Sequence, residues 1–180
     1  MFTLRTIIFS LLLLLSSHAP AFAQSELDTL FAKLRDPETG SNVLRIEPQI
    51  WATWMQGGSA EDNEALVKAT ASMNLADFAK AEKQLNAILA KTQTYPEVWN
   101  KRATLYFLMG RYEESLADIV KTLDLEPRHF GALSGRGMIY QRLGKDVDAL
   151  NAFKEALQIH PNLLGARLAV NQLEKASPEL

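Results

Sequence analysis

PEVWNKRATLYFLMGRYEESLADIVKTLDLEP (residues 96–127) and FGALSGRGMIYQRLGKDVDALNAFKEALQIHP (residues 130–161) are the stretches whose reading decides the fold. Aligned, they keep one register. Ala76, Gly110 and Gly144 stand 34 residues apart, as do Ala81, Ser115 and Ala149, then Leu85, Ile119 and Phe153, then Leu89, Leu123 and Leu157. Ala69, Ala103 and Gly137 hold the same step, and Tyr106 pairs with Tyr140. A fixed period of this length is the mark of stacked helical hairpins, each burying its apolar face on its neighbours.

Within 96–127, Trp99, Ala103, Tyr106 and Phe107 fall at helical steps, Gly110 stops the helix, and Leu116, Ile119, Val120 and Leu123 stripe a second one. Pro127 closes the unit because proline cannot extend a helix. The next unit repeats this with Leu133, Gly137 and Tyr140, a break at Gly144, a second stripe from Ala149 to Leu157, and Pro161. A weaker unit precedes them: Ser59 with Asp62 suits a helix start, Ala65, Ala69 and Ser72 take first-helix positions, and Phe78 to Leu89 form the second helix. Ala103 and Gly137 mark places where two helices approach closely.

Trp99, Ala103, Tyr106, Gly110, Tyr112 and Pro127, followed by Gly137, Tyr140, Gly144, Ala149, Phe153, Ala156 and Pro161, resemble the tetratricopeptide repeat. Arg102, Arg136, Ser115 and Asp146 depart from its usual residues. The resemblance implies an all-α, right-handed solenoid of helical hairpins, with units at about 62–95, 96–129 and 130–163 inside a repeat domain of residues 59–180. More narrowly, the chain is similar to exported repeat proteins of alphaproteobacteria in two further stretches: Trp51-Ala-Thr-Trp54-Met-Gln-Gly57-Gly58, and Pro127-Arg-His129-Phe130-Gly-Ala-Leu133.

The ends read as caps and a targeting segment. Arg5, the apolar run Ile7–Leu15 and the Ala21-Phe22-Ala23 triplet make residues 1–23 a secretory signal, with cleavage expected before Gln24. The apolar run is about half of the roughly 20 residues a membrane span needs, so no span is expected after cleavage. The remaining 157 residues carry 18 basic and 21 acidic side chains, a balance that offers no reason to expect nucleic acid. No cysteine occurs, so stability must come from packing. Residues 24–58 read as an N-terminal helical cap: Leu27, Leu30, Phe31 and Leu34 in one helix, a break from Asp36 to Asn42, then Ile46, Ile50, Trp51 and Trp54 in another, which Pro48 begins or kinks. The tryptophans are expected to pack on the first repeat, the alternative being an exposed patch that pairs two copies into a homodimer. Leu164, Leu168, Val170 and Leu173 suit a C-terminal capping helix over about 164–176, ended by Ser177-Pro178.

No catalytic, metal or cofactor pattern appears. His129 and His160 are the histidines beyond the signal, and each reads as a loop or capping residue. Catalytic, metal and cofactor-binding residues are therefore all expected to be absent, and an enzyme is not expected. The first helices of successive units instead form a groove. Its expected inward residues are Asn63, Leu66, Thr70 and Asn74, then Glu97, Asn100, Thr104, Phe107 and Leu108, then Gly131, Ser134, Met138, Gln141 and Arg142. Amides, hydroxyls and scattered apolar side chains suit an extended peptide or a partner helix. The expected partner is a protein or peptide of the cell envelope, and the groove lacks a lysine–asparagine clamp for a terminal carboxylate.

Overall fold

A computed structural model describes residues 19–36 and 43–176. Among them lie nine helices: α1 (Ala19–Arg35), α2 (Val43–Trp54), α3 (Ala60–Asn74), α4 (Phe78–Lys91), α5 (Pro96–Leu108), α6 (Tyr112–Leu125), α7 (Phe130–Arg142), α8 (Asp146–Ile159) and α9 (Leu164–Ala176). Helices α3–α4, α5–α6 and α7–α8 pair as hairpins, and α9 packs on α8. Most of the expected break at Asp36 to Asn42, and the expected stop at Ser177-Pro178, lie outside the described residues.

The period has a backbone cause. Ala76, Gly110 and Gly144 all adopt left-handed backbone, with φ of 56°, 73° and 68°. At each, the next amide reaches back five residues: Asp77 N–H to the Ser72 carbonyl, Arg111 to Tyr106 and Lys145 to Tyr140, at 2.8–2.9 Å. This closes the helix on its own last carbonyls and turns the chain into the next helix. Starts are equally local. Ser59 caps α3 by accepting from the Asp62 amide, and Pro96 occupies the first turn of α5, where a missing N–H costs nothing.

Packing follows the small residues. A Cβ on Gly137 would lie 2.8 Å from the Phe153 ring, so α7 and α8 meet at a distance only glycine allows. Leu66, Leu85, Tyr95, Val98 and Leu105 bury the first unit on the second. Leu133, Leu150, Phe153, Val170 and Leu173 bury the third on α9. The two departures at arginine also have a use. Arg102 grips the Asp118 carboxylate with two bonds (2.7 and 2.8 Å) and Asn86 with a third, while Arg136 reaches Glu155 at 2.7 Å. Each therefore ties the helices of a hairpin together.

Three expectations need correction. Pro48 lies inside α2 and does not begin it. Val120 is exposed on α6. On α9 the buried face is Ala166, Val170 and Leu173, whereas Leu164 and Leu168 point to solvent, Leu168 with 60% of its surface free.

The turn geometry predicts opposite signs for two substitutions. Ala76→Gly relieves a left-handed alanine and is expected to raise stability by roughly 1 kcal/mol. Gly137→Leu drives a side chain into Phe153 and is expected to cost about 1–3 kcal/mol. Denaturant midpoints measured side by side check both.

Candidate interaction groove

Helices α3, α5 and α7 lie side by side, and equivalent positions recur every 34 residues along them and along α9. Leu66, Asn100, Ser134 and Leu168 are one such row. Leu66 and Asn100 are buried, Ser134 is half-buried and Leu168 is exposed. The gradient follows the stacking: Leu66 on α3 and Asn100 on α5 sit on helices that meet the first helix of the next unit, and among the described residues no helix follows α9. Asn63, Leu66 and Glu97 are accordingly interior residues and not open groove wall, while Asn100, though buried, keeps an edge on the cleft between α5 and α7. Asn63 accepts from the Gly58 amide (3.0 Å) and donates to Gln56 (3.2 Å), fastening the turn after α2. Thr70, Asn74, Thr104, Phe107, Leu108, Ser134, Met138, Gln141 and Arg142 remain at least partly open. Among these, Leu108 and Met138 expose 52% and 42% of their surface.

The lower end of the groove is filled by the chain itself. Helix α2 sets Trp51 against Gly131, where a Cβ would come within 2.5 Å of the indole. Trp54 stacks flat on His129, with centroids 3.9 Å apart and planes 10° from parallel. Phe130 lies among Phe31, Trp51 and Trp54 at 5.1–6.5 Å. Polar bonds surround this aromatic cluster: Arg128 to Asp28 at 2.6 Å, His160 to Glu47 at 3.2 Å, and the Tyr95 hydroxyl donating to the Met55 carbonyl at 2.5 Å. The tryptophans thus pack on the junction between the second and third units, not on the first repeat. Trp54 keeps only 2% of its surface, so it offers no patch for a second copy.

Beneath the cluster lies a buried charge. The Ala132 amide donates to His129 Nδ1 at 3.1 Å, which leaves the ring proton on Nε2, aimed at Glu97 Oε2 at 2.9 Å. Asn100 Nδ2 donates to the same oxygen at 3.1 Å, and Lys101 lies 3.1 Å from Oε1. Burial pushes the Glu97 carboxyl up, but His129 and Lys101 together outweigh it and hold it below the usual carboxylate range. His129 is the N-cap of α7 and His160 the C-cap of α8, so the two occupy opposite ends of their connecting loops. Among the described residues, no group of three or more metal-ligating side chains is placed to hold an ion.

Above Trp51 the groove narrows to a cleft between α5 and α7, with a free volume of about 60 Å³. Residues important here but not singled out from sequence are Lys101, whose ammonium sits 5.7 Å from the Trp51 ring, and Gly135, which helps line the cleft. Both belong to one row of the period, a signal that was available.

Two family models, each described as tetratricopeptide repeat, match residues 96–129 and 130–163. A TPR repeat-containing protein of Rhizobium etli is 36% identical over 159 residues, covering 87% of this chain and 76% of that protein. The chain belongs to the tetratricopeptide repeat family. The solved first TPR of Spaghetti (RPAP3), bound to the HSP90 peptide SRMEEVD, superposes with a TM-score of 0.63 at 18% identity, covering 68% of this chain and 97% of that one. MamA superposes with a TM-score of 0.61 at 12% identity, covering 79% of this chain and 85% of that one. The fold is therefore the all-α TPR solenoid, and such repeats form protein–protein interaction modules; the fold is typically a scaffold, not an enzyme.

Two predictions test the filled end. Gly131→Ala should push Trp51 outward, seen as red-shifted indole emission in a Trp99→Phe background. Glu97 releases its proton more readily folded than unfolded. Its contribution is therefore complete above the unfolded carboxyl value of about 4.3 and drains as pH falls through the lower folded one. Glu97→Gln should lose less stability than wild type over that acid range, in urea melts at stepped pH.

Proposed function

We propose that this chain is a periplasmic interaction module that holds a segment of an envelope protein in the open upper part of its groove. The observation that carries this reading is the pair of facing rows Thr104, Phe107, Leu108 and Met138, Gln141, Arg142. They leave apolar side chains exposed between a hydroxyl, an amide and a cation on neighbouring helices. Export is supported by the signal-like residues 1–23. Every described buried side chain of α1, from Leu27 onward, lies beyond the expected cleavage point, so cleavage would keep these residues in the chain. Homologous architecture adds weight: the Spaghetti domain holds a peptide.

A photoreactive residue at Thr104 or Met138 should yield protein adducts in intact cells, while one at the exposed Lys121 should not. The isolated protein should begin at Gln24. Equal adducts from Lys121, or an intact Met1 on the cell's main pool, would overturn the corresponding half of the reading.

A further inference from the structure

Helix α7 carries three glycines in its interior or first turn that bear on packing, and two have a steric reason inside the fold. Gly131 admits Trp51 and Gly137 admits Phe153. Gly135 has none: a Cβ there would meet only the Ile119 methyl, at an ordinary 3.7 Å. A glycine in mid-helix weakens it relative to alanine, so the fold alone would favour alanine at this position. What Gly135 does is keep the cleft between α5 and α7 open.

A second, independent feature points into that cleft. Asn100 lines it with only 6% of its surface exposed. Its amide orientation is settled by chemistry: a carboxylate can only accept, so the edge facing Glu97 Oε2 must be Nδ2. Oδ1 therefore faces away from Glu97 and accepts no hydrogen bond from the described residues. The neighbouring hydroxyls are already engaged, Ser115 donating to the Ala103 carbonyl (2.7 Å) and Thr104 to the Asn100 carbonyl (2.9 Å). The rest of the wall is apolar: Ala103, Phe107, Ile119, Met138 and Ile139.

Size and charge then select the ligand. The 60 Å³ of free space is several times the roughly 10–15 Å³ that one water requires, and far below the 300–1,000 Å³ typical of small-molecule sites. One aliphatic side chain suits it. No cationic side chain lines the cleft, so nothing there would hold a terminal carboxylate. The hydroxyl protons there are spent, so the polar capacity left in the wall is for accepting and calls for an N–H. We infer that the cleft is a socket for a single aliphatic side chain from an internal segment of a partner, with Asn100 Oδ1 taking a backbone N–H beside it. The inference rests on the reading of the groove as a protein-binding surface, and names what that surface reads.

The probe is the capped tripeptide acetyl-Gly-Leu-Gly-amide, followed by NMR at the Met138 methyl and the Asn100 side-chain amide. Acetyl-Gly-Gly-Gly-amide and the free acid acetyl-Gly-Leu serve as comparisons. The leucine amide should give saturable shifts at both groups, with the glycine peptide and the free acid at least several-fold weaker. Gly135→Leu should weaken it about tenfold or more, the loss expected when a leucine can no longer be buried. Gly135→Ala, which strengthens the helix, should bind more weakly than wild type while melting no lower, so misfolding cannot mimic the result. Equal shifts in wild type and Gly135→Ala, or tighter binding of the free acid, would overturn the socket. In cells, Thr104 adducts that survive Gly135→Leu would remove the socket and leave the interaction module standing. Absent adducts in wild type would remove the module itself.

Discussion

A carboxylate with none of its surface exposed sits where the second unit, the third unit and the N-terminal hairpin converge, and the groups around it are arranged to keep it charged. An unpaired charge at such a depth costs several kcal/mol. Glu97 avoids that cost with three partners on its own helix and the next loop: His129, Asn100 and Lys101. Each partner has a second task. His129 caps α7 through its other nitrogen and offers its face to Trp54. Asn100 lines the cleft, and Lys101 lies over Trp51. One buried charge thus couples the start of α7, the seating of α2 and the shape of the open groove.

The hairpins were legible because their cause is local and repeated. A left-handed residue every 34 positions stops one helix and aims the next, and Gly137 marks a helix crossing that tolerates no Cβ. Even Ala76, which lacks the conformational freedom of glycine, holds its place in the register. The groove was legible only in part. Periodicity identifies which residues share a row, but not how far each row is covered by the unit that follows. Leu66 and Leu168 occupy the same row, yet one lies in the core and the other in solvent.

The seat of the N-terminal hairpin could not be read from periodicity at all. Helical spacing of Trp51 and Trp54 says that they are buried, not what buries them. The clue lay in two stretches, Trp51 to Gly58 ahead of the repeats and Pro127 to Leu133 across the join between two of them. In the structure these stretches pack on each other: Trp51 on Gly131, Trp54 on His129, both on Phe130.

This contact also divides the groove by chemistry. At the filled end the charges are already engaged inside the molecule: Glu97 with His129 and Lys101, Arg128 with Asp28 and Glu126. A partner reaching that end would have to break these contacts and expose a buried carboxylate, which the desolvation cost opposes. At the open end the situation reverses. Leu108 and Met138 present apolar surface to water, and covering it is favourable in proportion to area. The recognition proposed for this molecule therefore belongs to the upper groove, where apolar contact would drive it and amides and hydroxyls would guide it, with the chain's own α2 marking where the filled end begins.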